Sequence, residues 1–162
     1  MMTSIRIEID LACQQLALLA GGHVRAHYAI SSARNGPGER LHSECTPRGA
    51  HVIAGRIGMG AALNTVFAGR VPTGEIYSAA FAATQPPGRD WILTRILWLS
   101  GCVPGFNQGG DCDSYARYIY LHGTPDQTAL GQIGSRGCIR MRNADIIALF
   151  DLVEVGTPVM IR

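Results

Sequence analysis

The chain has 162 residues, of which 47% are hydrophobic and 16% charged, the size and composition of one folded globular domain rather than a disordered segment. A formal net charge of +2, with basic residues scattered and no basic run interleaved with aromatics, gives no electrostatic case for a nucleic-acid partner. No stretch approaches the roughly 20 apolar residues of a membrane span. Every basic residue is arginine, which suits bidentate contact with carboxylates, although a GC-rich coding sequence accounts for the bias more simply.

Ser4-Ile5-Arg6-Ile7-Glu8-Ile9-Asp10 alternates apolar and charged residues, the pattern of a half-buried strand. A secretory leader needs a basic start and an unbroken apolar run instead, so the expected location is cytoplasmic, or periplasmic if a longer precursor was trimmed. Strands are expected at 15–19 and 24–31, joined by Gly21-Gly22, making an antiparallel meander with the first. Asn35-Gly36-Pro37-Gly38 opens a loop reaching about Pro47, and a strand follows at 49–57. The Gly- and Ala-rich stretch 58–71 carries no clear pattern. Residues 77–83 read as a short strand. Residues 91–99 are mostly apolar and fit either a buried strand or a helical turn, and 115–122 read as the clearest late strand. Asn143 is expected as an N-cap, with Asp145 in the first turn and Ile146, Leu149, Phe150 and Val153 on one apolar face. Gly156 is expected to end this helix before a closing strand at 157–161. The whole chain, 1–162, reads as a single mostly-β domain with no internal repeat.

Five cysteines at irregular spacing argue against a disulfide framework. Chemistry concentrates late in the chain. In a strand, Tyr118, Tyr120 and His122 share one face, while Ile119 and Leu121 share the other. That places polar-tipped rings and a histidine on a prospective pocket wall. Cys138 follows Ser135-Arg136-Gly137, where Gly137 permits a tight turn and close substrate approach. The amides of Arg136, Gly137 and Cys138 are candidate donors to an oxyanion. Arg136 and Arg140 flank the thiol, and positive charge favours thiolate. A nearby imidazole such as His122 would serve as its base. Taken singly, a cysteine is usually an inert core thiol and a strand-end histidine is usually structural; the combination is what points to nucleophilic catalysis.

His122-Gly123-Thr124 followed by Ser135-x-Gly137-Cys138-Ile139-Arg140-Met141-x-Asn143 resembles the signature of L,D-transpeptidase catalytic domains of the YkuD type. Ser31-Ser32-Ala33-x-Asn35-Gly36-x-Gly38-Glu39, Thr46-Pro47-Arg48-Gly49-Ala50-His51-Val52-Ile53, Arg95-Ile96-Leu97-Trp98-Leu99 and Val155-Gly156-Thr157-Pro158-Val159 extend the likeness over nearly the whole chain. The resemblance implies a β-sandwich with a curled mixed sheet and one or two short helices. It implies a cysteine enzyme, without cofactor or metal, acting on a peptidoglycan stem peptide or muropeptide. By the same resemblance, Cys138 attacks the third-residue carbonyl of a tetrapeptide, releases terminal D-alanine and forms a thioester, with His122 as base. An amine resolves the thioester in transpeptidation; water does so in an L,D-carboxypeptidase, the expected outcome for a cytoplasmic protein meeting recycled peptides. The Gly123 carbonyl orients the imidazole, Arg136 and Gly137 belong to the oxyanion region, and Tyr120, Ser135 and Arg140 face substrate. For Arg140, binding a substrate carboxylate and bracing the loop stand as equal alternatives.

Two departures from the family pattern stand out. Arg136 occupies a position that is usually histidine, and the segment between His122 and Ser135 is slightly short. Two rival functions are also weighed. Cys102, Cys112, His122 and Cys138 are conceivable zinc ligands, but lack close Cys-x-x-Cys pairs. A non-catalytic peptide-binding module has no need of both thiol and imidazole. His51 is expected to be structural, and Trp91 and Trp98 to pack in the core. Asp111 and Asp113 are expected in a solvated loop.

Overall fold

The computed structural model describes residues 3–162. Ten strands form one mixed sheet: β1 (Ile5–Asp10), β2 (Gln15–Ala20), β3 (His23–Ser31), β4 (Gly49–Ile57), β5 (Thr65–Ala68), β6 (Val71–Ile76), β7 (Ile92–Gly101), β8 (Tyr120–Thr124), β9 (Ile139–Arg142) and β10 (Pro158–Ile161). Helix α1 spans Ala79–Ala82 and α2 spans Asn143–Leu152. The strand order is β4-β10-β1-β2-β3-β9-β8-β7-β5-β6. The sheet curls so far that β4 also pairs with β7, closing a circuit of strands from which the β5–β6 hairpin projects.

The alternation at the N-terminus folds as the sequence predicts. Ile7 and Ile9 are buried, and β1–β3 form the antiparallel meander. Ile7 and Ile9 join Leu16, Leu18, Leu97, Leu121, Ile139 and Met141 in the main core, which α2 enters with Ile146, Leu149 and Phe150. Burying each such side chain contributes roughly 1.5–3 kcal/mol, which explains how a sheet this curled holds its shape.

Four local expectations are corrected. Residues 79–82 form a helical turn, because the Ser78 hydroxyl accepts the Phe81 N–H at 3.0 Å as an N-cap. The strand expected at 115–122 begins only at Tyr120. Ahead of it the backbone is tied into turns by Arg117 N–H to the Asp113 carbonyl (2.9 Å), and Tyr118 takes φ 57°. Asn143 is the first helical residue rather than the cap; its amide donates to Asn64 and its oxygen accepts from Thr94 at 2.6 Å. Helix α2 ends at Leu152, before Gly156, which turns the chain at φ 95° and donates to the Ile53 carbonyl. The unpatterned stretch holds β5, and the ambiguous apolar stretch is strand β7.

Candidate active site

Strands β8 and β9 run parallel, with Leu121 opposite Ile139 and His122 opposite Arg140. Alternation sends Leu121, Ile139 and Met141 into the main core. Tyr120, His122 and Arg140 therefore point to the other face. Cys138, immediately before β9, packs on that same face against the small cluster of Phe67, Ile96 and Tyr120. Parallel pairing thus carries a thiol and an imidazole, distant in the chain, onto one side of two adjacent strands.

The imidazole is held firmly. His122 is 1% exposed, and its Nδ1 lies 2.6 Å from the Gly123 carbonyl. A carbonyl only accepts, so Nδ1 carries the proton and the Nε2 lone pair is left as the basic site. Nε2 has no hydrogen-bond partner among the described residues. Burial holds the His122 pKa below that of ordinary histidine; the Asp90 carboxylate and the Gly123 bond pull it upward and Arg140 pushes it down. Gly123 must be glycine: a Cβ there would strike the Asn143 Oδ1 and the Leu93 carbonyl.

The thiol is partly accessible, yet its immediate surroundings are packed. Its S–H lies 3.2 Å from the Tyr118 carbonyl, and the sulfur accepts the Tyr120 N–H at 3.3 Å. Burial pushes the Cys138 pKa up to about 12; the Tyr120 amide, Arg140 and Arg117 pull it down and Asp90 pushes it up. Burial outweighs the cations, so the thiol rests neutral, as does the imidazole on the same face of the two strands. This corrects the expectation that flanking arginines make a thiolate. Arg136 reaches away to the Gly88 carbonyl at 2.8 Å, and Arg117 is a cation that acts on the thiol in its place.

The turn before the thiol is built for strain at one point. Gly137 adopts φ 133°, and a Cβ there would press on the Cys45 carbonyl oxygen at 3.2 Å. Its amide is taken by Ser135 Oγ at 3.1 Å, so Gly137 does not supply the expected oxyanion donor. The amides of Arg136 and Cys138 donate to no acceptor among the described residues. Ser135 is spent on structure rather than turned to substrate: its hydroxyl donates to the Cys138 carbonyl at 2.5 Å. Tyr120 offers its amide to the sulfur while its phenol accepts from Arg70 at 3.0 Å. Arg140 donates to the Gly134 carbonyl (3.1 Å) and pairs with Asp90 (3.3 Å), so bracing the loop is its observed role.

Sequence reasoning missed Asp90, Arg117, and the Asn64–Thr94–Asn143 network behind Gly123. Each arrives from a distant loop or strand, and no local motif marks it. Trp98 is only partly buried and stacks on Tyr115 with ring centroids 3.9 Å apart, under the Arg70 guanidinium. Tyr118 is 53% exposed and does not share a strand face with Tyr120. His51 is buried between the Gly49 carbonyl and Ser114 Oγ, a structural placement. Asp113 caps its own loop by accepting from Ala116 and Gly109 amides. Among the described residues, no three His, Cys, Asp or Glu side chains converge to hold a metal, so Cys102, Cys112, His122 and Cys138 do not form a ligand set. A cavity of about 610 Å³ lies far along the chain from this site, between residues 3–5 and 151–158, and carries neither thiol nor imidazole.

Residues 4–161 match the L,D-transpeptidase catalytic domain family, YkuD. The chain is 38% identical over 60 residues to a putative L,D-transpeptidase YkuD of Bacillus licheniformis, an alignment covering 34% of this chain and 36% of that protein. It is 51% identical over 51 residues to a probable L,D-transpeptidase ErfK/SrfK of Escherichia coli, covering 29% of this chain and 16% of that protein. These matches span about a third or less of each relative's length. Among solved structures, L,D-transpeptidase 3 from Mycobacterium tuberculosis superposes with a TM-score of 0.62 at 14% identity, covering 99% of this chain and 61% of that one. An Enterococcus faecium L,D-transpeptidase superposes with a TM-score of 0.58 at 18% identity, covering 99% and 50%. At these identities the superpositions establish the shared fold.

Proposed function

The chain belongs to the L,D-transpeptidase catalytic domain family, and on that premise we propose that it is a cysteine acyl-transfer enzyme acting on peptidoglycan tetrapeptide stems. One observation carries the reading: Cys138 and His122 share a face of adjacent parallel strands, with Nδ1 fixed on the Gly123 carbonyl and Nε2 left as base.

The chemistry follows from the neutral resting pair. Sγ attacks the third-residue carbonyl while its proton passes to Nε2 of His122. Neutral imidazole is the required form, and its lowered pKa keeps it so at neutral pH. The carbonyl oxygen becomes an oxyanion, for which the unpartnered amides of Arg136 and Cys138 are the candidate donors. Collapse breaks the C–N bond, the imidazolium gives its proton to the departing D-alanine amine, and a thioester stays on Cys138. An incoming amine, or water, then attacks that thioester. Nε2 takes the nucleophile's proton and returns it to the leaving sulfur. Attack by water gives an L,D-carboxypeptidase, which is the form suited to a cytoplasmic protein handling released peptides.

Intact mass spectrometry after incubation with a soluble tetrapeptide tests the reading. The expected result is a protein mass raised by the acyl tripeptide, absent in Cys138→Ala. Free tripeptide as the product indicates hydrolysis; cross-linked dimer indicates transfer. A wild type that never gains mass, and that a carbapenem leaves unlabelled, overturns the proposal in favour of a binding module. Fractionation of cells expressing the full-length protein tests the cytoplasmic location.

A further inference from the structure

Strand β7 runs against β8 with one interruption. Ile96 pairs with His122 and Leu93 with Gly123, so Thr94 and Arg95 are two residues of β7 set against a single step of β8. The bulge falls opposite the residue that carries the base and the residue whose carbonyl holds it. Thr94 takes φ 76°, left-handed backbone in which a β-branched residue is an outlier. It is fully buried, and it lies against Gly123: a Cβ built on that glycine would press on the Thr94 Cβ at 3.1 Å. Strain of this kind persists only where the surroundings over-determine it, and it gathers at functional sites.

The surroundings here are polar and closed. The Thr94 hydroxyl donates to Asn143 Oδ1 at 2.6 Å and accepts the Asn64 N–H at 3.2 Å. Asn143 is buried and donates from Nδ2 to Asn64 Oδ1 at 3.0 Å. Its Oδ1 is the atom lying directly behind Gly123. The Arg95 guanidinium closes the bulge by donating to the Thr94 carbonyl (2.7 Å) and the Ala61 carbonyl (2.9 Å). Strand β7, helix α2 and the loop ahead of β5 thus meet behind one glycine. Among the described residues none of these side chains bonds to His122 or Cys138, so their influence on the pair runs through Gly123.

We propose that Thr94 is a positioning residue for the base. The bulge takes the Gly123 step out of regular ladder pairing and lets its carbonyl turn to His122 Nδ1. The bond from Thr94 to Asn143 fixes Gly123 in that position from behind. This matters because a neutral imidazole has two tautomers. With Nδ1–H held on the Gly123 carbonyl, Nε2 can take the thiol proton. A ring loosened from that carbonyl also populates the Nε2–H form, which cannot. Thr94 touches no reacting atom; it acts through Gly123 on the tautomer and orientation of His122. The inference rests on the acyl-transfer reading and adds to it the device that keeps the base in its working form.

Nitrogen NMR of isotopically labelled protein at neutral pH, with the His122 signals identified by their loss in His122→Ala, reads the tautomer directly. Tetrapeptide cleavage on the same samples reads the rate. Wild type is expected to carry Nδ1–H. Thr94→Val keeps the branched shape and loses the hydroxyl. It should mix the two tautomers and lower kcat about tenfold with KM unchanged, a fraction of the roughly hundredfold or more that a general base contributes. Thr94→Ser, which restores the hydroxyl, should recover both readouts. Asn143→Ala should reproduce Thr94→Val, and if one of these two fails to fold the other decides. Loss of rate without a change of tautomer, a change of tautomer at undiminished rate, or no change in either overturns the inference. A wild type in the Nε2–H form overturns it outright. A wild type that carries Nδ1–H and never acylates overturns the acyl-transfer reading and leaves the positioning of the ring standing.

Discussion

The two faces of strands β8 and β9 spend their burial differently. On one face Leu121, Ile139 and Met141, all fully buried, extend the main core. On the other, Tyr120, His122 and Arg140, with Cys138 just ahead of β9, are surrounded by atoms yet keep polar groups unsaturated or shared: Nε2 without a partner, a thiol between two backbone groups, a guanidinium split between Gly134 and Asp90. The first face stabilises; the second holds neutral two groups that would otherwise ionise nearer their ordinary values. Burial is common to both, and the residue type decides whether it yields stability or reactivity.

The comparison breaks if substitutions on the reactive face cost stability instead of turnover. Cys138→Ala is expected to lower turnover at least a thousandfold and His122→Ala a hundredfold or more, with thermal midpoints near wild type. Steady-state assays of tetrapeptide cleavage beside melting curves check both. On the opposite face Leu121→Ala should show the inverse. Denaturant unfolding should reveal a loss of about 2–5 kcal/mol, with the rate per folded molecule nearly unchanged.

A smaller effect sharpens the electrostatic half of the argument. The base works as neutral imidazole, and burial depresses the His122 pKa. The kcat/KM profile should therefore keep its plateau below pH 6.5 and fall about tenfold per pH unit only beneath the depressed value. An acid limb centred above 6.5 contradicts a buried, neutral base. The smallest effect belongs to the exterior. Arg6→Ala removes an exposed pair with Glu8 at 3.2 Å and should shift stability by less than about 1 kcal/mol, read from the same unfolding curves.

Much of the fold was legible in residue order. The Ile5-Ile7-Ile9 alternation, the Gly21-Gly22 turn and the spacing of Ile146, Leu149 and Phe150 each report burial directly, because side-chain direction follows backbone period. Errors fell where one side chain outweighs a pattern. Ser78 caps an alanine-rich helical turn too short to show a helical period, and Tyr118 adopts left-handed backbone that strand-like residues do not advertise. At the site, the thiol, the histidine and the constrained Gly137 were each visible as residue types in suggestive company. The Arg136 guanidinium's hold on the thiol, the Gly137 amide and the Ser135 hydroxyl were misread because a group's partner depends on what the fold brings near it.

Residue order alone determined which atoms can do chemistry here, a sulfur behind a glycine turn and an imidazole ending a strand, since reactivity resides in residue type and local backbone. Only the tertiary structure decided their protonation and company. The parallel pairing of β8 with β9, Asp90 and Arg117 arriving from distant loops, and the dense packing that sets the thiol near 12 all arise from contacts between segments far apart in the chain. Electric fields and desolvation act through space, and no local stretch of sequence encodes them.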